Sequence, residues 1–453
     1  MSLIVFIPGI ICMAAILRAG TRRAFLSVYL PVLLLVPATF NVRLPHLPPL
    51  SFEDTTLLSL GMGMVLMDLS HWRFSRTDCW VALFIATSAY AERIPYGTNG
   101  AFLVLITTIL TCGVPYMAGK LLVERPRMRV ETVGRIAVLM AVASVLAIPQ
   151  FFLKWNPYNR FWSRFFPGQW INTATREGFG RVGGPYNGGE TAGMVLLMGL
   201  LLALWLQHRK TKSLGAIGYL DHLLKHTRII IFTLIATLFM TQSRGPWIGA
   251  IIAVGIASIG RAKKTLRQAV LVCSVGIVVG IPTYLITKDY VNANPGQAVS
   301  EEQQSAQYRS QMIDDYLPIA ERGGAFGWGN SFPHVGGRDS LDNEYLLVWL
   351  LQGYVGLTAL ILVVVDGIAS LVRAGIKARS IQERYFAFSL LGALLGMAFC
   401  VYTVWLSDQP YQMFFLIIGW SQALHSVDAG NQRQQDDRVF HELPQPDSVL
   451  VLT

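Results

Sequence analysis

The chain has 453 residues, of which 53% are hydrophobic and only 14% charged, with a formal net charge of +10. Soluble domains are roughly a quarter charged, and backbone in lipid must satisfy its own hydrogen bonds, so long apolar runs recurring from end to end exclude an ordinary soluble fold. Runs such as MVLLMGLLLALWL (194–206) do not alternate as barrel strands do, and in a membrane chain the positive charge is a topology signal rather than a nucleic-acid footprint.

The first apolar run, 2–17, lacks a basic leader and a small-residue cleavage site, so it is expected to be a helix rather than a signal peptide. Further runs lie near 24–40, 55–69, 77–93, 98–118, 134–153, 188–206, 228–242, 247–260, 269–287, 344–365, 385–406 and 411–425. A span needs roughly 20 apolar residues. The pattern predicts an all-α, polytopic membrane protein of about 12–13 transmembrane helices with two long outer loops. The expected organisation is N-terminal helices over 1–153, a first long loop over 154–187, central helices over 188–287, a second long loop over 288–343, C-terminal helices over 344–425, and a tail over 426–453. The tail is polar and is expected to be disordered. Cys12, Cys79, Cys112, Cys273 and Cys400 all lie in or beside apolar runs, so no disulfide is expected.

Alternate connections carry the basic residues. Arg18 to Arg23, Arg73/Arg76, Lys120 to Arg135, Arg209 to Arg228, Arg261 to Arg267 and Arg373 to Arg384 together hold 23 of the 37 Lys and Arg. The positive-inside rule puts these loops in the cytoplasm, the N-terminus outside and the tail inside. The cytoplasmic loops are short and carry no phosphate-binding loop, so chemistry is expected on the outer face. Nucleotide-activated sugars are absent there, which points to a lipid-linked, pre-activated substrate.

Four outer stretches carry the candidates. In WNPYNRFWSRFFPGQW (155–170), aromatic residues including Trp162 alternate with Arg160 and Arg164. The stretch reads as an interfacial aromatic belt or as a lid for sugar or lipid. GRVGGPYNGGETAG (180–193) sets Arg181 beside glycines that let backbone approach a ligand, with Tyr186 and Asn187 as possible contacts; the plain alternative is a flexible turn. TQSRGPWIGAI (241–251) sets Arg244 and Gly-Pro between two short apolar runs. Pro246 suits a first helical turn, whose N–H groups favour an anion. An arginine there is an anion-binding candidate or snorkels to headgroups.

The fourth stretch, 308–357, holds Arg309, Arg322, His334 and Arg338 and ends in Asp342-Asn343-Glu344. Arginine suits a diphosphate because its planar fork is always charged and binds in a bidentate way. Asp342 reads as a helix N-cap or as a general base, and His334 as a solvated loop residue or a proton carrier. Asp339, Asp342 and Glu344 also read as a metal cluster, but magnesium requires convergent carboxylates. Neither a metal nor a cofactor is expected.

RVGGPYNGGETAG, TQSRGPWIG and YR…GWGNSF…DNEYLLVWLLQGYVGL, in this order, resemble the O-antigen ligase and polymerase superfamily of bacterial envelope glycosyltransferases over roughly 180–360. The resemblance implies a C-type membrane glycosyltransferase in the bacterial inner membrane, acting at its periplasmic face without a metal. It implies an undecaprenyl-diphosphate-linked oligosaccharide as donor, membrane lipid as surroundings, flippase and chain-length regulator proteins as partners, and no nucleic acid. Arg244 occupies the place of the arginine thought to grip the diphosphate, Arg309 that of an arginine of the large loop, and Asp342 the place where ligases carry a histidine. Arg181, Arg322 and Arg338 are further diphosphate candidates, Asp342 and His334 proton-transfer candidates, and Trp162, Tyr186, Asn187 and Asn343 candidate sugar or lipid contacts. The expected activity is that of a polysaccharide polymerase. A ligase acting on lipid A core or protein, or a lipid-linked sugar transporter, is the alternative.

Overall fold

A computed structural model describes residues 2–125, 128–208, 225–292, 301–336 and 341–424. The expectation for the tail 426–453 lies outside the described residues. The described chain is a helical membrane protein, and six of its helices are long and apolar enough to cross a bilayer.

The helices follow the apolar runs closely. They are α1 (Phe6–Ala19), α2 (21–35, with a π turn at Phe25–Tyr29), α3 (Phe52–Met67), α4 (Arg76–Leu121) and α5 (Met128–Leu153). After the short α6 (Pro157–Trp162) come α7 (Gly189–His208), α8 (Thr227–Met240), α9 (Arg244–Arg261) and α10 (Thr265–Asn292). The chain closes with α11 (Glu301–Arg322), α12 (Glu344–Lys377), α13 (Ile381–Cys400) and α14 (408–424). Two two-stranded hairpins, Asn41–Val42 with Leu50–Ser51 and Thr175–Arg176 with Phe179–Gly180, are the strands among the described residues.

Three places differ from the hydrophobic pattern. The run 24–40 ends as helix at Leu35, because Val36 precedes Pro37 and is extended (φ −108, ψ 129). The run 385–406 ends at Cys400, and 401–407 form a loop instead. Glu344 holds that loop: its N–H donates to the Val401 carbonyl at 2.9 Å, and its carboxylate accepts the Leu406 N–H at 2.7 Å. The second long loop, 288–343, is largely helical, since α10 runs into it and α11 lies within it.

Two of the long helices are broken by a glycine at positive φ. In α4 the break is Gly97 (φ 67, ψ −161). Lys120 Nζ lies 2.6 Å from Asp78, and Ser88 donates to Thr108 at 3.1 Å. Residues so far apart in sequence meet only if 76–96 and 98–121 are the antiparallel arms of a hairpin, which agrees with two apolar runs. In α12 the break is Gly353 (φ 66, ψ −164). Tyr345 and Trp349 line one groove with Ile361 and Val365. In a straight helix Tyr345 and Val365 would be about 30 Å apart, so the first arm of α12 folds back along the second. Only glycine adopts this backbone conformation readily.

α7, α9 and α13 form the centre of the bundle and cross at small residues. A Cβ added at Gly392 would lie 2.3 Å from the Ala253 carbonyl oxygen, one at Gly249 2.6 Å from Cys400 Sγ, and one at Gly193 2.5 Å from Pro246. Small residues let helix backbones approach closely in a membrane, where tight packing replaces the hydrophobic effect as the driving force. α11 packs above this bundle through a separate small core of Met312, Tyr316, Ala320, Phe332, Leu346 and Leu350.

Gly392→Ala should therefore destabilise the protein by about 1–3 kcal/mol, the usual cost of overpacking. Gly276→Ala on α10, where a Cβ meets nothing within 4 Å, should leave the melting temperature unchanged or raise it. Thermal unfolding in detergent checks both; equal behaviour of the two variants would contradict the packing.

Candidate functional site

The helix starts at Gly189, Arg244 and Glu344 meet at one end of the bundle, beside the 401–407 loop and under α11. Two adjoining cavities open there, of about 240 and 270 Å³, and share Arg181, Glu190, Arg309 and Val404. Asn187 and Asp342 line the first, Arg176 and Arg244 the second. They form one cleft with four arginines and two carboxylates around it.

Each arginine is set by an identifiable local feature. Arg181 leaves the 175–180 hairpin, where Glu177 and Gly178 turn the chain at positive φ. Its guanidinium pairs with Glu190 in the first turn of α7, donates to Ser243 Oγ at 2.7 Å and donates to the Thr241 carbonyl at 3.3 Å. It thereby ties the hairpin, α7 and the turn before α9 together. Arg176 donates to the Gln242 carbonyl at 2.9 Å from the same hairpin.

Arg244 is the first residue of α9, and Pro246 stands in the same turn. α9 is longer than the apolar run 247–260 implied: it takes in the whole Arg-Gly-Pro segment and has 18 residues, about 27 Å. The N-cap residue is Ser243, whose side chain makes no capping hydrogen bond and instead receives Arg181. The positive end of the α9 dipole therefore faces the cleft. Gly245 is required behind Arg244, because a Cβ there would lie 2.5 Å from Thr403 Oγ1.

Arg309 hangs from α11 over both cavities, 3.9 Å from the Asp342 carboxylate. Its buried Nε has no hydrogen-bond partner among the described residues. Asp342 is not the cap of α12. Asn343 is: its Oδ1 accepts the Leu346 N–H at 3.1 Å. Asp342 is thereby left to face the cleft, with its own N–H donated to Met312 Sδ at 3.3 Å.

The sequence candidates thus separate. Arg181, Arg244, Arg309, Asp342 and Asn187 come together. Asn343 is buried as the cap. Tyr186 is buried, its hydroxyl donated to the Leu34 carbonyl at 3.3 Å. Trp162 packs among aromatic rings, 4.8 Å from Phe52 and 6.1 Å from Phe40. His334 is exposed and its ring packs at a tilt against Phe332, centroids 4.6 Å apart, and Arg322 is exposed in the last turn of α11; neither lines the cleft cavities. Arg338 and Asp339 lie outside the described residues. Among the described residues no three His, Cys, Asp or Glu side chains are placed to hold a metal ion. Arg176, Glu190, Ser243 and Thr403 belong to the cleft and were not singled out from the sequence. An acid in the first turn after Gly188-Gly189 was a usable signal for Glu190, whereas Thr403 is brought in only by the loop after α13.

Residues 229–361 match the family model described as O-antigen ligase. Over this segment the chain is similar to that family. The match includes Arg244, Arg309 and Asp342; Arg176, Arg181 and Glu190 lie before it. Members of that family are glycosyltransferase-like enzymes. No curated protein matches the chain.

The cap assignment makes a measurable distinction. Asn343→Ala should cost about 1 kcal/mol, as lost N-caps usually do, while Asp342→Ala should melt close to wild type. A larger loss of thermal stability in Asp342→Ala than in Asn343→Ala would reverse the assignment.

Proposed function

We propose that the chain is a polysaccharide polymerase that transfers glycan from an undecaprenyl-diphosphate-linked donor to a hydroxyl of an acceptor sugar. The observation that carries this reading is the convergence of Arg176, Arg181, Arg244 and Arg309 with Asp342 around one cleft at the end of a membrane bundle. A diphosphate leaving group needs fixed cations, and arginines already held by hydrogen bonds need little reorganisation when charge develops.

In the proposed reaction the acceptor hydroxyl attacks the anomeric carbon. The new carbon–oxygen bond forms as the bond to the diphosphate breaks, and the bonding pair leaves on the phosphate oxygen. The hydroxyl proton passes to the Asp342 carboxylate, a base at the edge of the same cleft. Attack opposite the leaving group inverts the anomeric centre. Arg244, at the α9 N-terminus, and Arg309 would balance the developing phosphate charge. The cleft end is the outer, periplasmic face of the inner membrane, because the short basic connections lie at the opposite ends of the helices. The N-terminus is then periplasmic and the C-terminus cytoplasmic. Flippase and chain-length regulator proteins would supply the donor and limit the product.

A ligase transferring a finished glycan to lipid A core or protein is the second reading, favoured by the description of the matched family. Asp342, where the ligases it resembles carry a histidine, favours the polymerase. A transporter would need polar groups along the whole path, whereas the four cleft arginines stand together at one end of the bundle.

Surface glycans of a deletion strain separate the two enzymes: single lipid-linked repeats accumulate if a polymerase is lost, long lipid-linked polymer if a ligase is lost. Arg244→Ala should abolish polymer while expression and membrane insertion persist, a loss of about 10²–10³ in rate if it acts on the leaving group. Arg244→Lys should recover little, because a point charge does not reproduce the bidentate fork; full-length polymer from the alanine variant would sink the assignment. Asp342→Asn should lose activity with an unchanged melting profile, the outcome that identifies a base.

A further inference from the structure

The helix breaks at Gly97 in α4 and Gly353 in α12 lie close to one another. Thr87 of α4 donates to Gln352 of α12 at 3.0 Å, and one stretch of chain, the end of the second long loop, fits against both breaks. A break leaves backbone groups without intrahelical partners, and in a membrane bundle these must be satisfied inside the protein. Residues 324–328 do this for α12. The Trp328 N–H donates to the Leu350 carbonyl at 2.9 Å, and the Tyr354 and Val355 N–H groups donate to the carbonyls of Gly324 and Ala325 at 3.2 and 3.0 Å. The fit is at backbone distance: a Cβ on Gly327 would lie 2.6 Å from the Gly353 nitrogen.

Glu92 ties the same loop to α4. The side chain is buried, and its Oε2 accepts the backbone N–H and the side-chain amide of Asn330, each at 3.0 Å. Gly329, at φ 59, lets the chain come this close, since a Cβ there would lie 2.9 Å from the Glu92 carboxylate and 3.1 Å from Pro95. Phe326 packs on Tyr90 of α4, ring centroids 4.6 Å apart. The residues around Asn330 carry this tie to α11. Trp328 Nε1 donates to the Ile319 carbonyl at 2.9 Å, and the Val335 N–H donates to the Tyr316 hydroxyl at 3.1 Å. Phe332 enters the small core with Met312 and Tyr316. Met312 in turn receives the Asp342 N–H and stands three residues from Arg309, on the next turn of the helix.

We propose that Glu92 is a positioning residue for the reaction: by seating residues 324–332 against the two helix breaks, it sets α11 and so holds Arg309 beside Asp342 over the cleft. The inference rests on the part given to Arg309 in the preceding section. Glu92 lines neither cleft cavity, so it acts only through what it holds. Among the described residues Asn330 is the one hydrogen-bond partner of its carboxylate, and a buried polar group is kept where such a bond satisfies it. Arg309 and Asp342 stand 3.9 Å apart on α11 and at the start of α12, so their relation depends on how one element lies on the other. Misplacing a group by about 1 Å, even through a change far from the chemistry, costs about 10²-fold in rate.

The test compares Glu92→Ala with Glu92→Gln, whose amide oxygen still accepts from Asn330. Spin labels at Ser310 on α11 and Thr175 in the hairpin that carries Arg176, both exposed, report the placement of α11 in full-length protein in nanodiscs. The exposed Cys79 and Cys273 are replaced by serine for labelling. The expected result is one narrow distance distribution in the parent and in Glu92→Gln, and a broadened or shifted one in Glu92→Ala. Asn330→Ala, which disturbs the bundle less, should show a smaller change of the same kind. Chain growth in a complemented deletion strain, at matched protein level, should fall about 10²-fold in Glu92→Ala and be kept in Glu92→Gln. Glu92→Ala added to Arg309→Ala should cost nothing more, because both remove the same contribution. Losses that add, a Glu92→Ala distribution like the parent's, or a Glu92→Gln variant as impaired as Glu92→Ala would each overturn the positioning role and leave the proposed reaction standing. Unchanged chain growth in Arg309→Ala would instead overturn that arginine's part in the reaction, and the positioning role with it.

Discussion

The cleft exists because α9 can lie against α7 and α13 at backbone distance. Gly392 meets the Ala253 carbonyl, Gly249 meets Cys400, and Gly193 admits Pro246. Larger side chains at these crossings would spread the helix ends apart. With the ends held together, the starts of α7 and α9 point the same way and their unsatisfied N–H groups share one space. The arginines then occupy positions where the backbone already favours an anion.

Holding several guanidinium groups close together is electrostatically costly unless something offsets their repulsion. Glu190 takes one side of Arg181, while Asp342 stands beside Arg309. Backbone carbonyls of Thr241 and Gln242 take further donors of Arg181 and Arg176. These partners use part of the Arg176 and Arg181 guanidinium groups, while the buried Nε of Arg309 has no hydrogen-bond partner among the described residues. The same loop–helix ties position Asp342: Asn343 caps α12, and Glu344 fastens the 401–407 loop that walls the cleft.

Much of this was legible in the residues. Apolar runs coincide with helices because lipid leaves the backbone few other choices. Arg-Gly-Pro stood out because a charge in such surroundings is costly, and it opens a helix in the cleft. Arg181, Arg309, Asp342 and Asn187, singled out from glycine and charge context, line that cleft. Asn343 and Asp342 could not be told apart as caps, since adjacent Asp and Asn satisfy the same rule and only the backbone decides. Tyr186 and Trp162 resembled ligand contacts because aromatic residues serve cores and sugars alike; here Tyr186 is buried, and Trp162 packs among rings.

The sequence by itself determined the helical membrane class and the order of the helices, and it supplied candidate arginines and a candidate carboxylate, because hydropathy and charge are properties of short segments. Tertiary structure decided what depends on contacts between distant segments. It brought Arg176 and Arg181 to Arg309, made hairpins of α4 and α12 at Gly97 and Gly353, and turned the residues after Cys400 into a wall of the cleft. It also left the hydrophobic stretch of α10 unburied. Helical periodicity marks an apolar face but not whether protein or lipid covers it, because hydrocarbon tails and leucine side chains are equally apolar.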